Sequence, residues 1–120
     1  MPVRSLSSSV LVWPDQKRVE AAVRRWAAEQ ASKRADVAAI GYFGSYARGN
    51  WGVGSDLDVV VVVSSSPQPF IDRARPWDTL SLPVPADLLV YTSEEWDALV
   101  ARCGTLPAVV SAEVVWVHRR

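Results

Sequence analysis

Asp56-Leu57-Asp58 runs directly into Val59-Val60-Val61-Val62-Val63. A β-branched run of that length reads as a strand. Apolar on both faces after Asp58, it predicts a central strand covered on both sides. Residues two apart in a strand share a face, so both carboxylates leave the start of this strand on the same side. Left alone, they repel each other and lose solvation. A bound divalent cation relieves both costs, so the pattern predicts a metal site at the mouth of a dry sheet.

The rest of the chain supplies elements to cover that strand. Pro14 and Asp15 suit the first turn of a helix, and Val19, Ala22, Val23, Trp26, Ala27 and Gln30 then recur at helical spacing over about five turns. Glu20 and Arg24 form an i,i+4 pair on its other side. Ala38 to Phe43 reads as a strand ending at Gly44, and Ser45 as the N-cap of a short helix through Arg48. Residues 49–54 are turn material, and Phe70 to Leu82 is a helix at most in broken form because Pro76 and Pro83 interrupt it. Ala86 to Tyr91 is a third strand. Thr92 or Ser93 caps a helix whose buried stripe is Trp96, Leu99, Val100 and Cys103 and which Gly104 ends, with Glu95 completing a capping box if Thr92 is the cap. A short strand is expected at residues 10–13 and a turn near Leu106 to Ser111. The last strand, Val114 to Val117, is apolar on both faces. It is either covered internally or an edge that pairs with another copy in a homo-oligomer. The expected fold is α/β (α+β), a small mixed sheet with helices packed on it.

At 120 residues and 13.2 kDa, the chain is long enough for a single core, and one domain over 1–120 is expected with residues 1–9 as a loose arm. Lysine plus arginine equals aspartate plus glutamate, which argues against direct binding of duplex nucleic acid through its phosphates. Cys103 and His118 are each the sole residue of their type. That excludes an internal disulfide and any cysteine-rich or multi-histidine metal site. No segment reaches signal-peptide or membrane-spanning length, so a cytoplasmic protein with no membrane partner is expected.

Strand, glycine, serine, helix is a geometry that turns backbone amides and a hydroxyl toward an anion. Arg48, three residues after Ser45, lies on the same face of the short helix, within reach of a phosphate oxygen. The Asp56/Asp58 pair lacks the further oxygen ligands of a helix-loop-helix calcium site. It suits magnesium, which completes its shell with water and substrate phosphates.

Gly44-Ser45, ten intervening residues and Asp56-x-Asp58, with Ala47-Arg48-Gly49 after the serine and Ser55 before the first aspartate, resemble the nucleotidyltransferase superfamily of DNA polymerase beta. The chain is most similar to its minimal nucleotidyltransferases (the MNT group). The resemblance implies a palm-like fold and a metal-dependent transferase of the EC 2.7.7 type. It implies Asp56, Asp58 and a third acid, Asp87, as catalytic metal ligands for two Mg²⁺ ions. Asp87 also accepts the proton of the attacking hydroxyl in that scheme, although a solvated aspartate at a strand end is the simpler reading of the residue. Gly44, Ser45, Arg48 and Ser55 fall at the nucleotide-binding positions, with ATP as donor by family default. The family further implies a HEPN-type toxin as partner, silenced by AMP placed on its tyrosine. A non-catalytic antitoxin or nucleotide-sensing subunit that neutralises its partner by binding is the alternative. The loop departs from many relatives by carrying Trp51, which either stacks on a base or on a partner protein or plugs the loop onto the domain.

Overall fold

The computed structural model of the chain describes residues 14–102 and 113–120. The arm at 1–9, the strand at 10–13, Cys103, Gly104 and the turn near 106–111 lie outside the described residues. Helix α1 spans Gln16–Lys33. Asp15 is its N-cap rather than a first-turn residue, the side chain accepting from the Arg18 amide at 2.9 Å, so Pro14 stays outside the helix. The expected stripe is the buried face: Val19, Val23, Trp26, Ala27 and Gln30 are buried and Ala22 half-buried. Glu20 and Arg24 pair at 3.4 Å.

Strand β1 (Val37–Phe43) leads into helix α2 (Ser45–Arg48), and β2 (Leu57–Val63) follows the glycine loop. Helix α3 is a single turn, Phe70–Arg73, after which residues 74–85 are turns and irregular chain. Strand β3 (Ala86–Thr92), helix α4 (Ser93–Val100) and strand β4 (Val115–Arg119) complete the described elements. The sheet order is β3-β2-β1-β4, with β2 parallel to β3 and the β1 pairings antiparallel. This is the expected mixed sheet, and β2 is central in it.

Alternation in β2 sorts its side chains between two layers. Leu57, Val59, Val61 and Val63 join Val23, Trp26, Ile40 and Val90 in one core under α1. Asp58, Val60 and Val62 project to the opposite face. There Gly41 makes room for the chain at β4: a Cβ at Gly41 would lie 2.5 Å from Val114 Cγ1, 2.9 Å from the Val115 carbonyl oxygen and 3.0 Å from the ring of Trp116, its partner on β4. The indole of Trp116 is thereby free to meet Trp96 of α4 edge-on, with centroids 5.5 Å apart.

Thr92 is the cap of α4 and forms the capping box with Glu95. The stripe expected on this helix is not buried. No residue of α4 is fully buried, Trp96 and Leu99 are half-buried, and Val100 is exposed. Two turns of helix touching the sheet mainly through one indole shield little of their own apolar face.

Arg73, which no sequence pattern singles out, ties this region together. The side chain is 8 % exposed and donates from Nε to the Gln68 carbonyl at 2.8 Å, from Nη1 to the Val90 carbonyl at 3.3 Å, and to both carboxylate oxygens of Glu95. The Arg73 hydrogen bonds, followed by that from the Thr92 amide, hold the Glu95 carboxyl below its usual value. Replacing Arg73 with Met removes its donors from these acceptors and should cost about 2–3 kcal/mol in urea denaturation at pH 7. A loss below about 0.5 kcal/mol would show that the bridge does not hold the loop. Because the folded carboxyl is depressed, its contribution is complete above the ordinary carboxylate pKa and fades as pH falls through the lowered value. The thermal midpoint of Glu95→Gln should therefore drop less than that of wild type between pH 7 and pH 3. The difference is modest, since the Glu95 side chain is 40 % exposed.

Candidate active site

Three segments meet at the mouth of β2. Phe43, the last residue of β1, pairs with Asp58, so Gly44 turns directly beside that carboxylate. Gly44 adopts φ 79° and ψ −149°, a region essentially restricted to glycine. A Cβ there would run into the Asp58 carboxylate. The turn is thus closed on the acid as tightly as backbone without a side chain allows. Gly44 itself, and not Ser45, occupies the N-cap position, and no side chain caps this helix. Ser45 is its first residue and is half-buried.

On the other side, the parallel register of β2 with β3 sets Asp58 opposite Asp87. Register partners lie on one face about 4.8 Å apart along the hydrogen-bonding direction. Asp56 precedes the strand by one residue and is exposed, as is Asp87, while Asp58 is half-buried. Burial is the main cause that raises the Asp58 carboxyl above its usual value. The charges of Asp87 and Asp56 raise it further, and Arg48 opposes them. The charges of both outer acids thus act on Asp58.

Donor type and charge suit a hard divalent cation: three carboxylates, no nitrogen or sulfur, and solvent on the open side. The Gly44 turn leaves Asp58 a cradle that any larger residue would fill. As the side chains stand, however, no group of three or more His, Cys, Asp or Glu among the described residues is arranged to enclose a metal ion. Asp58 and Asp87 share a face, and the charges of Asp87 and Asp56 both act on Asp58, but the three side chains do not converge.

The remaining candidate positions divide. Arg48 is not directed into open space; its Nη1 donates to Oε2 of Glu113 at 3.2 Å. Glu113 stands sixty-five residues along the chain from Arg48, beyond the reach of any local sequence pattern. Ser55 closes the loop, its Oγ accepting from the Gly52 amide at 2.8 Å and its carbonyl from the Tyr46 hydroxyl at 3.3 Å. Trp51 takes the plugging role. Its ring stacks on buried Tyr46 with centroids 5.6 Å apart and 7° between planes. His118 is half-buried on β4, with Nε2 lacking a hydrogen-bond partner among the described residues. A concavity of about 340 Å³ lined by Phe70, Tyr91, Ala98 and Leu99 includes none of the three acids.

The comparisons agree with this architecture. The family described as "Nucleotidyltransferase domain" matches residues 24–106. A candidate nucleotidyltransferase from Sulfolobus solfataricus superposes with a TM-score of 0.64 at 23 % identity, covering 88 % of this chain and 84 % of that one. A toxin–antitoxin solved with AMP-PNP superposes with a TM-score of 0.53 at 16 % identity, covering 89 % and 75 %. At such identities the likeness is one of fold. No curated protein matches the chain.

Gly44 and Gly49 offer a matched pair for testing the turn. Both have positive φ, but a Cβ on Gly49 meets nothing within 4 Å. Gly49→Ala should lose only the backbone term, about 1–2 kcal/mol. Gly44→Ala adds the collision with Asp58 and should lower the thermal midpoint clearly further. Equal losses in thermal unfolding would show that the turn is not closed on the carboxylate.

Proposed function

Since the chain belongs to the nucleotidyltransferase domain family, we propose that it transfers AMP from ATP to a hydroxyl group, and that the acceptor is a tyrosine of a HEPN-type toxin which it silences as antitoxin. The observation that carries the reading is the register that sets Asp58 opposite Asp87, with Asp56 two residues upstream and the Gly44 turn against them. The fold shared with a toxin–antitoxin solved with AMP-PNP supports the nucleotide and the kind of partner.

Asp56, Asp58 and Asp87 would hold Mg²⁺. When bound, the metal neutralises charge on the triphosphate and on the oxygens entering and leaving phosphorus. The residues themselves bind, aim and move a proton. Gly44 and Ser45 present backbone amides and a hydroxyl to the phosphates, and Arg48 adds a cation beside them. The acceptor oxygen attacks the α-phosphorus, a P–O bond forms, and the bond to the bridging oxygen breaks as pyrophosphate leaves. Asp87, exposed on the open side, takes the proton of the attacking hydroxyl. Positioning and charge supply most of the acceleration in such transfers.

Asp56 and Asp87 are exposed, which suits an acceptor hydroxyl brought by a macromolecule. Among the described residues no helix is long and apolar enough to cross a membrane.

The test incubates the protein with labelled ATP, Mg²⁺ and the product of the neighbouring gene, and locates the added AMP by mass spectrometry. Chelation of the metal should stop transfer. Asp58→Asn and Asp87→Asn should each lower it by about 10²-fold or more while the thermal midpoint stays at or above that of wild type. Full turnover in Asp87→Asn would remove that residue from the mechanism. An Asp56→Asn, Asp58→Asn double variant that neutralises the toxin as well as wild type would make the protein a binding antitoxin and not an enzyme.

A further inference from the structure

We propose that Glu113 is a positioning residue that holds Arg48 beside the acid cluster and sets the affinity of the site for a nucleoside triphosphate. The inference rests on the nucleotidyl-transfer reading and concerns how that site is regulated.

Its placement follows from the sheet. Strand β4 runs antiparallel to β1 with Val115 opposite Tyr42, so the chain just before β4 arrives beside the end of β1 and the helix that follows it. Glu113 there accepts from Arg48 Nη1 at 3.2 Å. Arg48 ends α2, the helix opened by Gly44 and Ser45, and its charge reaches Asp58, where it offsets the repulsion from Asp56 and Asp87. The guanidinium thus hydrogen-bonds the Glu113 carboxylate while its charge acts on Asp58.

A triphosphate entering this mouth meets two effects of Glu113. It must draw the Arg48 donors away from their existing acceptor, and it comes to rest near a fourth negative charge. Both lower affinity. The Arg48 and Glu113 side chains are 48 % and 32 % exposed, so their pair is weak and exchangeable. Weakness is what makes the pair useful. It keeps Arg48 from settling onto the acids while the site is empty, yet yields it to a more highly charged ligand. Glutamine at this position keeps an oxygen acceptor for Arg48 and removes the charge.

The experiment titrates Mg·ATP by calorimetry into wild type, Glu113→Gln, Arg48→Ala and the double variant, at low and high salt. Glu113→Gln should bind about threefold tighter at low salt, and the gain should shrink as salt rises. Arg48→Ala should bind more weakly, and in that background Glu113→Gln should gain clearly less than in wild type. A purely structural role for Glu113 would give no gain in affinity and no such dependence on Arg48. Unchanged affinity in Glu113→Gln overturns the inference, as does an equal gain in both backgrounds, which would mean that the charge acts without Arg48. Wild type that takes up no Mg·ATP overturns the nucleotide reading together with this inference. Binding without a difference overturns this inference alone.

Discussion

The parallel pairing of β2 with β3 is the constraint from which the site follows, because it sets Asp58 opposite Asp87. Like charges about 5 Å apart repel by roughly 1 kcal/mol in water and about 3 kcal/mol at the effective dielectric of a protein surface. Against this stand the five buried valines, Val59 to Val63, each worth about 1.5 kcal/mol or more on leaving water. Even reduced for a compact unfolded state, the apolar contribution is the larger. The core therefore imposes the register, and the acids are held together by it. Slipping β2 by one residue would turn Asp58 toward Trp26 and Val23, burying a charge without a partner. The same aspartate that repels its neighbours thus marks which face of β2 can point to solvent.

The second layer is less complete than the first. Under α1 the contacts are continuous from Val19 to Trp77 and Val90. On the acid face Val60 and Val62 are buried, but α4 approaches through Trp96 and the half-buried Leu99, and its last residue, Val100, is exposed. Asp58, Asp87 and Asp56 occupy the end of that face which no described helix covers. The larger core and the acids lie on opposite sides of one sheet, and Arg73 fastens the loop after β2 to the helix after β3.

Much of this was legible because it is periodic. The α1 stripe, the central position of β2 and the Thr92 capping box follow from spacing that local physics reads in the same way as the folded chain. Where the folded chain differed, a longer-range effect was responsible. Ser45 has the chemistry of a cap, but the Gly44 conformation moves the helix start one residue earlier. The α4 stripe has the right period, yet periodicity cannot say how much sheet lies under a two-turn helix. Trp51 could not be assigned from its neighbours, since its partner Tyr46 is in reach only after the loop closes. The Arg48–Glu113 and Arg73–Glu95 pairs join residues distant in sequence, and a single chain without its fold carries no signal for them.

Asp58 also shows why the site is not simply the cheapest arrangement of its residues. A neutral side chain at this position would escape the burial and the neighbouring charges that raise its carboxyl. A larger residue at Gly44 would relax the unusual backbone only by displacing the acid. Each unfavourable feature thus depends on the other: the glycine-only turn is useful because a carboxylate stands against it, and the carboxylate faces that turn because Phe43 is its register partner. A glycine-only turn and like-charge repulsion are thus collected at one strand end, opposite a well-packed core, where a multivalent cation would relieve the repulsion.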